Sequence, residues 1–202
     1  MPQITKGYFL GDFLYEESKK DENKTIVEIG TWDGEGSTWC ILQGLHESNK
    51  KDYSFYSLEI DENMYNHALN FLPKDENLHL ILGKVTDVFI DLEAQDSKFF
   101  NIYSLEQQKQ WLKHDLANSA KAPNVLNQIP DKIDLLLLDG GEFQGFPEWQ
   151  ILAPRSKTVV LDDTNTLKFN FVKNFILDNQ DRFKIIKNDE NDRNGFLIYE
   201  NI

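Results

Sequence analysis

The chain has 202 residues, 40% hydrophobic and 27% charged, which is the composition of a globular domain with enough apolar side chains for one core. The formal net charge of -13 argues against a wide basic surface for nucleic acid, and a single cysteine excludes a disulfide framework and a zinc site of thiolates. No apolar stretch approaches the roughly 20 residues that span a bilayer, and the N-terminus lacks the apolar core of a signal peptide, so we expect a cytoplasmic protein without nucleic-acid or membrane partners.

The N-terminal part of the chain predicts a helix over 8–19, a strand over 25–29 and a helix near 37–47. The strand is an apolar run that contains Glu28 and leads into a turn with Gly30 and Gly34. Glycines let the backbone turn tightly and leave room for a ligand, and the amides at the start of the next helix face that space. This stretch therefore predicts the first strand, turn and helix of a nucleotide-binding fold.

The remaining apolar runs continue the alternation of strands and helices. They predict strands over 54–60, 78–83, 133–139 and 158–163, helices from Asp61 to about 71, from Ser104 to about 120 and over 167–179, and two closing strands over 183–187 and 195–199. The closing strands are joined by a short loop without a helix, so they must pair antiparallel. We expect a single α/β domain over residues 1–202 whose sheet is parallel except for a C-terminal hairpin.

One connection is much longer than a strand crossover requires. Residues 84–131 separate the third predicted strand from the fourth, although little more than a dozen residues are needed. We predict that the segment at about 91–131 is an insertion. It is either a lid or a partner surface, and we favour a lid over the substrate.

Acidic residues and glycines stand at the ends of the predicted strands. Ligands of such sheets bind at the carboxyl ends of the strands, close to the point where the strand order reverses. The residues at these ends are Glu28 with Gly30, Glu59 with Asp61, Gly83, Asp139, and Asp162 with Asp163. We predict that Glu59 accepts hydrogen bonds from both hydroxyls of a ribose, whereas Asp61 suits a helix cap better.

Five of these segments together resemble the motifs of a known family. The segment 28–34, EIGTWDG, resembles the first motif of class I S-adenosylmethionine-dependent methyltransferases, and Trp32 is similar to the variant in catechol O-methyltransferase-like and macrocin O-methyltransferase-like enzymes. Residues 58–61 resemble the second motif and residues 83–87 the loop beside the adenine. Residues 137–140 and 160–163 resemble the strand ends that hold a divalent metal. The resemblance covers residues 25–90 and 133–200.

The resemblance implies a Rossmann-like methyltransferase sheet with helices on both faces, S-adenosyl-L-methionine as cofactor and a small-molecule hydroxyl as methyl acceptor. Its implied cofactor-binding residues are Glu28, Gly30, Trp32 and Gly34 around the methionine part, Glu59 at the ribose, Val85, Thr86 and Asp87 beside the adenine, and Asp139. Asp139, Asp162 and Asp163 are the implied metal ligands. Mg²⁺ is the candidate ion, since it prefers oxygen ligands and lowers the pKa of a bound hydroxyl.

The candidate catalytic residues are Asp139, Glu142 and His114. Glu142 stands where catechol-type enzymes carry a lysine base, and it is a fourth ligand, a base or a surface acid. His114 lies in the insertion and is either a general base lowered over the substrate or a solvated helix residue. Asp162 and Asp163 both reach one ion only if the strand has ended. The alternative is that one of them caps the helix beginning near Thr166 or is solvated in the turn.

Other readings remain open from the sequence. Phe143, Phe146 and Trp149 either wall the acceptor pocket or form the core of a short helix. The runner-up function is a catalytically degenerate methyltransferase fold kept for binding, since a fold does not determine a function. A nicotinamide-binding domain is disfavoured because the glycine spacing differs from G-x-G-x-x-G.

The identity of the acceptor is open, and so is the oligomeric state, with a homodimer as one alternative. Charge runs at 19–24 and 188–193 are predicted to be solvated links.

Overall fold

The computed structural model of the protein describes residues 3–92 and 103–202. The helices are α1 (Phe9–Lys19), α2 (Ser37–Glu47), α3 (Glu62–Phe71), α4 (Leu105–Ser119), α5 (Gly145–Leu152) and α6 (Asn170–Asp178). The strands are β1 (Thr25–Ile29), β2 (Ser54–Glu59), β3 (Leu78–Leu82), β4 (Ile133–Leu138), β5 (Ser156–Asp162), β6 (Phe183–Asp189) and β7 (Phe196–Asn201). Within the described residues, short 3₁₀ turns lie at Leu126–Gln128 and Ala153–Arg155.

The seven strands form one sheet in the order β3-β2-β1-β4-β5-β7-β6. The first five strands of the chain pair in parallel, and β7 pairs antiparallel with both β5 and β6. The predicted parallel sheet with an antiparallel C-terminal hairpin is confirmed. The chain order reverses between β1 and β4, so a crevice opens at the carboxyl ends of these two strands.

The core lies on both faces of the sheet because the central strands are apolar along their whole length. Leu135 and Leu137 of β4 pack with α1, α2 and α3 on one face, whereas Leu136 and Leu138 pack with α5 and α6 on the other. Such continuous apolar runs are expected where helices cover both faces of a parallel sheet. Cys40 is buried in the first of these layers, where burial raises the pKa of its thiol to about 11, so it packs as an apolar side chain.

Most predicted elements agree with the observed bounds to within one or two residues, and α6 begins three residues later than expected. Helix α5 was not assigned from the sequence, although a short helix was one reading of its aromatic residues. Phe143 is fully buried just before it, and Phe146 and Trp149 pack against the core. Trp149 Nε1 donates to the hydroxyl oxygen of Tyr199 at 2.8 Å, which ties α5 to β7. The reading of these aromatics as the core of a short helix is therefore confirmed.

The long connection contains α4, whose predicted start at Ser104 is confirmed, since the Ser104 hydroxyl caps the helix by accepting a hydrogen bond from Gln107 N at 3.3 Å. Part of the predicted insertion, residues 93–102, lies outside the described residues. The segment returns to the sheet beside β3, where Lys84 N donates to Pro123 O at 3.0 Å and Val125 N donates to Lys84 O at 2.8 Å. Across residues 3–92 and 103–202, none of the helices has the length and apolar character that crossing a bilayer requires.

Candidate active site

A cavity of about 370 Å³ opens at the carboxyl ends of β1, β2, β4 and β5. Helix α4 and the start of the chain complete its walls. The residues that line it are Gln3, Ile4, Gly30, Thr31, Trp32, Asp33, Gly36, Ser37, Glu59, Ile60, Asp61, His114, Asp115, Asn118, Asp139, Gly140, Gly141, Asp163, Lys168 and Arg193. Six of the predicted site residues therefore meet in one place: Gly30, Trp32, Glu59, Asp139, Asp163 and His114.

The turn after β1 is held between its two neighbouring strands. Gly30 has φ +99, and a Cβ added there would lie 2.5 Å from the carbonyl oxygen of Asp139. Only glycine combines this backbone conformation with so close an approach. Gly34 has φ +84 but faces Ala68 of α3 and Leu72, the residue after that helix, rather than the cavity. Trp32, also in the left-handed region at φ +55, is 57% exposed at the edge of the cavity.

Glu28 lies beneath this turn and does not line the cavity. Its carboxylate is fully buried and accepts hydrogen bonds from the hydroxyls of Ser37, Thr38 and Ser57. Burial raises the pKa of Glu28, and the three hydroxyl donors oppose that shift. The structure therefore places Glu28 where it joins β1 and β2 to the first turn of α2.

Glu59 connects the turn to the end of β2 and faces the cavity. Its Oε2 accepts from Trp32 N at 2.7 Å, and its Oε1 accepts from the backbone N–H groups of Ile60 and Asp61 at 2.9 and 2.8 Å. Burial raises the pKa of Glu59 to about 7 in spite of these donors. Asp61 caps α3 by accepting from Asn63 N at 2.8 Å, as predicted. The two acidic residues thus have different structural settings.

The loop predicted to border the adenine lies outside the cavity lining. Val85 and Thr86 are buried, and the carbonyl oxygen of Thr86 accepts from Gln144 Nε2 at 2.9 Å. Asp87 is exposed and lies 2.7 Å from Lys84 Nζ. The role of these three residues at a cofactor stays a prediction.

Three carboxylates cluster at the ends of β4 and β5. Atoms of Asp139, Asp162 and Asp163 lie within 4.8 Å of one another. Asp162 is the last residue of β5, and Asp163 has φ +60, so the strand ends there and the alternation of side chains stops. Because of this turn both neighbouring carboxylates reach one site. Neither caps the next helix, since α6 begins at Asn170 without a side-chain cap; that alternative is wrong.

Two basic residues enter this cluster. Lys168 Nζ lies 3.0 Å from Asp139 Oδ1 and 3.2 Å from Asp163 Oδ2, with only 3% of its side chain exposed. Arg193 donates to both oxygens of Asp162, at 3.0 Å from Nε to Oδ1 and 2.6 Å from Nη2 to Oδ2. Burial lowers the pKa of Lys168, but the surrounding carboxylates, Asp139 first, raise it overall. Lys168 is therefore a protonated cation inside the cluster.

The donor arrangement around the cluster does not fit a divalent metal. Asn194 Nδ2 donates to Asp163 Oδ1 at 3.0 Å, so five of the six carboxylate oxygens accept a hydrogen bond. Among the residues the structure describes, Asp139 Oδ2 alone has no such donor. Mg²⁺ requires near-octahedral oxygen ligands, and Lys168 Nζ stands between two of the oxygens that would supply them.

Glu142 lies behind Lys168 and outside the cavity lining. Its Oε1 accepts from Lys168 N at 3.1 Å, and its Oε2 accepts from Thr166 Oγ1 at 3.2 Å. Burial raises the pKa of Glu142, whereas the Lys168 charge lowers it. Its contacts hold the loop that carries the lysine.

Helix α4 covers one side of the cavity. Asn118 Nδ2 donates to Asp61 Oδ2 at 3.0 Å, and His114 Nε2 lies 3.5 Å from the same oxygen. Asp115 points inward from α4, and burial raises the pKa of its carboxyl to about 6. The helix in the insertion thus lies against both the β2 end and the β4 end of the cavity.

Four polar residues near this site were not predicted from the sequence. Lys168, Arg193 and Asp115 line the cavity, and Glu148 is buried beside Gly140, where its burial raises its pKa to about 7. Arg193 falls in the run predicted to be a solvated link; that prediction is wrong for it, since its side chain is 11% exposed and paired with Asp162. The one available signal was the basic charge of Lys168, five positions after Asp163 in the loop after β5.

Solved structures of known proteins share this architecture. An O-methyltransferase from Bacillus cereus in complex with SAH (S-adenosylhomocysteine) is 14% identical, with 99% of this chain and 83% of that one covered and a TM-score of 0.61. A methyltransferase from Geobacter sulfurreducens is 15% identical, with coverage of 100% and 82% and a TM-score of 0.61. An SAH-bound methyltransferase from Podospora anserina is 12% identical, with coverage of 95% and 77% and a TM-score of 0.59.

No protein-family model and no curated protein matches the sequence. At these low identities the structural likeness shows the fold alone. The chain has the class I methyltransferase fold, as its motifs predicted.

Proposed function

We propose that this protein is an S-adenosylmethionine-dependent methyltransferase that acts on a hydroxyl group of a small molecule. The proposal is supported above all by one cavity that these residues share. The Gly30 turn and Glu59 lie at one end of it, and Asp139 and Lys168 lie at the other. In this fold, ligands bind at the carboxyl ends of the strands near the reversal of chain order, which is where the cavity lies. Solved neighbours with SAH bound support the choice of cofactor.

The cavity suits the cofactor in charge and in size. Its lining contains two cationic side chains, Lys168 and Arg193, and a larger number of carboxylates. The six carboxylates are Asp33, Glu59, Asp61, Asp115, Asp139 and Asp163. An excess of carboxylates favours a ligand with a net positive charge, because opposite charges attract strongly in a partly buried site. A volume of about 370 Å³ lies within the usual range for small-molecule sites. S-adenosylmethionine, when bound, would supply an electrophilic methyl group on a positively charged sulfur.

Glu59 is the proposed partner of the ribose. Its two oxygens already accept three backbone N–H groups, which hold the carboxylate in one orientation at the cavity wall. Oε1 accepts two of these N–H groups and Oε2 accepts one, so Oε2 keeps a lone-pair site for a hydroxyl. The ionised carboxylate is therefore preorganised to accept a hydrogen bond from the ribose.

Asp139 and Lys168 are the proposed acceptor-side residues. Asp139 Oδ2 is free of protein donors among the described residues, and Asp139 lines the cavity, so this oxygen can take the proton of an acceptor hydroxyl. Burial raises the pKa of Asp139, the Lys168 charge lowers it, and the carboxylates of Asp162 and Asp163 raise it again. A carboxylate with a raised pKa is a better base than an ordinary one.

Mg²⁺ has no part in the proposed function, because the Lys168 ammonium already occupies the position between the Asp139 and Asp163 oxygens that would hold it. Glu142 is proposed to position Lys168 rather than to exchange protons. His114 and Asn118, which hold α4 to Asp61, support the proposal that the insertion at about 91–131 is a lid on a single methyltransferase domain.

Titration calorimetry with S-adenosylhomocysteine tests this function. We expect the wild type to bind it and Glu59→Gln to bind about tenfold more weakly, or worse, since the amide replaces a charged acceptor with a neutral one. Glu62→Gln is the matched control, because Glu62 is exposed in the first turn of α3 and does not line the cavity, so the affinity should stay within about threefold. A wild type that binds no S-adenosylhomocysteine contradicts the proposal. Binding without methyl transfer to any hydroxyl acceptor favours the degenerate binding protein instead.

A further inference from the structure

We propose that Lys168 is a built-in cation that takes the place of a divalent metal in this site, and that it binds a single hydroxyl of the methyl acceptor. The part of this inference that concerns the acceptor rests on the proposed function. The part that concerns the cation rests on the side-chain geometry at the ends of β4 and β5.

The ammonium group has the right position for such a role. It lies between Asp139 and Asp163, two of the three carboxylates whose spacing resembles a metal site. A lysine ammonium carries three N–H donors. Within the described part of the chain, Asp139 and Asp163 accept two of them. Because Lys168 also lines the cavity, its third N–H is available to a ligand oxygen there.

The lysine is held in this position from several sides. Its backbone N–H donates to Glu142 Oε1 at 3.1 Å, and its side chain is 3% exposed. Gly145, at the start of α5, leaves the space that the stem needs, since a Cβ there would lie 2.9 Å from Lys168 Cγ. A cation fixed by packing at its stem and by two carboxylates at its head is unlike a mobile surface lysine.

A lysine and a metal make different demands on the acceptor. A hexacoordinate ion on three carboxylates would keep about three positions for other ligands, enough for two oxygens of a neighbouring diol. The Lys168 ammonium, with one N–H left, can hold one oxygen. We therefore expect the acceptor to present a single hydroxyl rather than a chelating pair. The positive charge stabilises that oxygen as Asp139 Oδ2 removes its proton and the oxygen attacks the methyl carbon. The bond from that carbon to the sulfur of S-adenosylmethionine would break, and its electron pair would stay on the sulfur of the S-adenosylhomocysteine that leaves.

Binding of Mn²⁺ alone to the full chain tests the inference, with the electron paramagnetic resonance signal of the free ion as readout. We expect the wild type to bind it with a Kd above about 1 mM, which is the weak end of the range for calcium sites in proteins. Lys168→Ala removes the ammonium from between the facing oxygens of Asp139 and Asp163, so it should gain one site with a Kd at least about tenfold lower, roughly 1.4 kcal/mol. Adding Asp139→Asn to that variant should abolish the site. Lys173→Ala is the matched control, since Lys173 is also buried but pairs with Glu190 away from the cluster.

Two results would overturn the inference. One is a wild type that binds one Mn²⁺ with a Kd below about 1 mM, at a site that the Asp139→Asn variant lacks. The other is a folded Lys168→Ala that gains no Mn²⁺ site. If Lys168→Ala does not fold, Lys168→Met keeps the apolar stem and serves in its place, and the wild-type titration decides alone if both fail. Failure of the proposed function is a separate result, because it appears as absent binding of S-adenosylhomocysteine, which the Mn²⁺ titration does not measure.

Discussion

The two ends of the cavity are built in different ways. The end proposed for the cofactor consists of a backbone turn and a carboxylate held by backbone amides, and its parts lie between residues 28 and 61. The acceptor end consists of side chains that meet from β4, β5, the loop after β5 and the hairpin, with Asp162 and Arg193 separated by 31 positions. One end is set by local conformation and the other by long-range ion pairs.

This difference has consequences for stability and for binding. A backbone turn fails when a side chain is added, because its neighbours are too close. A buried ion-pair cluster fails when one charge is removed, because the remaining charges lose their partner. Variants at the two ends should therefore differ in the kind of damage they cause.

The largest effect is expected at the acceptor end, for Lys168→Met. Removing one member of a buried charge cluster typically costs about 3–5 kcal/mol, since the carboxylates left behind are uncompensated. The free energy of unfolding measured by urea denaturation should fall by this amount. Lys173→Met is the control and should lower the free energy of unfolding by only about 1 kcal/mol, because the partners of Lys173 are the neutral amide of Asn165 and the 60% exposed carboxylate of Glu190. Equal losses in the two variants would contradict the view that the cluster depends on Lys168.

At the cofactor end, Gly30→Ala should destabilise the protein by about 3 kcal/mol. The left-handed conformation costs a non-glycine residue roughly 1–2 kcal/mol, and the clash with the Asp139 carbonyl adds to it. Gly7→Ala separates the two causes, because Gly7 has φ +93 but no atom within 4 Å of an added Cβ. It should cost only about 1 kcal/mol, the conformational part alone. Identical denaturation curves for the two variants would show that the close approach of β1 and β4 is unimportant.

The affinity for S-adenosylhomocysteine should depend on pH through Glu59, whose pKa burial raises to about 7. The ionised form accepts hydroxyl hydrogen bonds, so binding is strongest above this pKa and weakens as the pH falls and the carboxylate is protonated. Between pH 8 and pH 6 the affinity should fall about tenfold, because one pH unit below the pKa leaves about a tenth of the group ionised. Calorimetry at several pH values measures it, and Glu59→Gln should remove the dependence. A wild-type affinity that does not change over this range would rule out Glu59 as an ionised partner.

The smallest effect is expected for the lid. His114 is 66% exposed, so its ion pair with Asp61 contributes little, and His114→Ala should change the affinity for S-adenosylhomocysteine by about twofold or less. Asn118→Ala removes a part-buried hydrogen bond to the same carboxylate. It should have the larger effect and weaken the binding free energy of S-adenosylhomocysteine by about 1 kcal/mol. If His114→Ala has the greater effect, the histidine has a role beyond holding α4.

Much of the fold followed from short stretches of sequence. The bounds of β1 and α2 agree with prediction because an apolar run, two glycines and a helical period all lie within 25 residues of one another. Asp61 was assigned as a helix cap for the same reason, since a cap and the amides it accepts from are two or three positions apart. Helix α5 was left open because Phe146 and Trp149 have the same pattern in a pocket wall as in a core.

The sequence by itself determined the sheet, the glycine turn and the set of carboxylates at the strand ends, because strand and turn propensities act between neighbours in the chain. Only the tertiary structure decided what those carboxylates bind. The left-handed conformation of Asp163 brings its carboxylate close to that of Asp162. Lys168 and Arg193 reach these carboxylates from separate segments of the chain. The energy of an ion pair depends on the distance in space between its charges, and separation along the sequence does not reveal that distance.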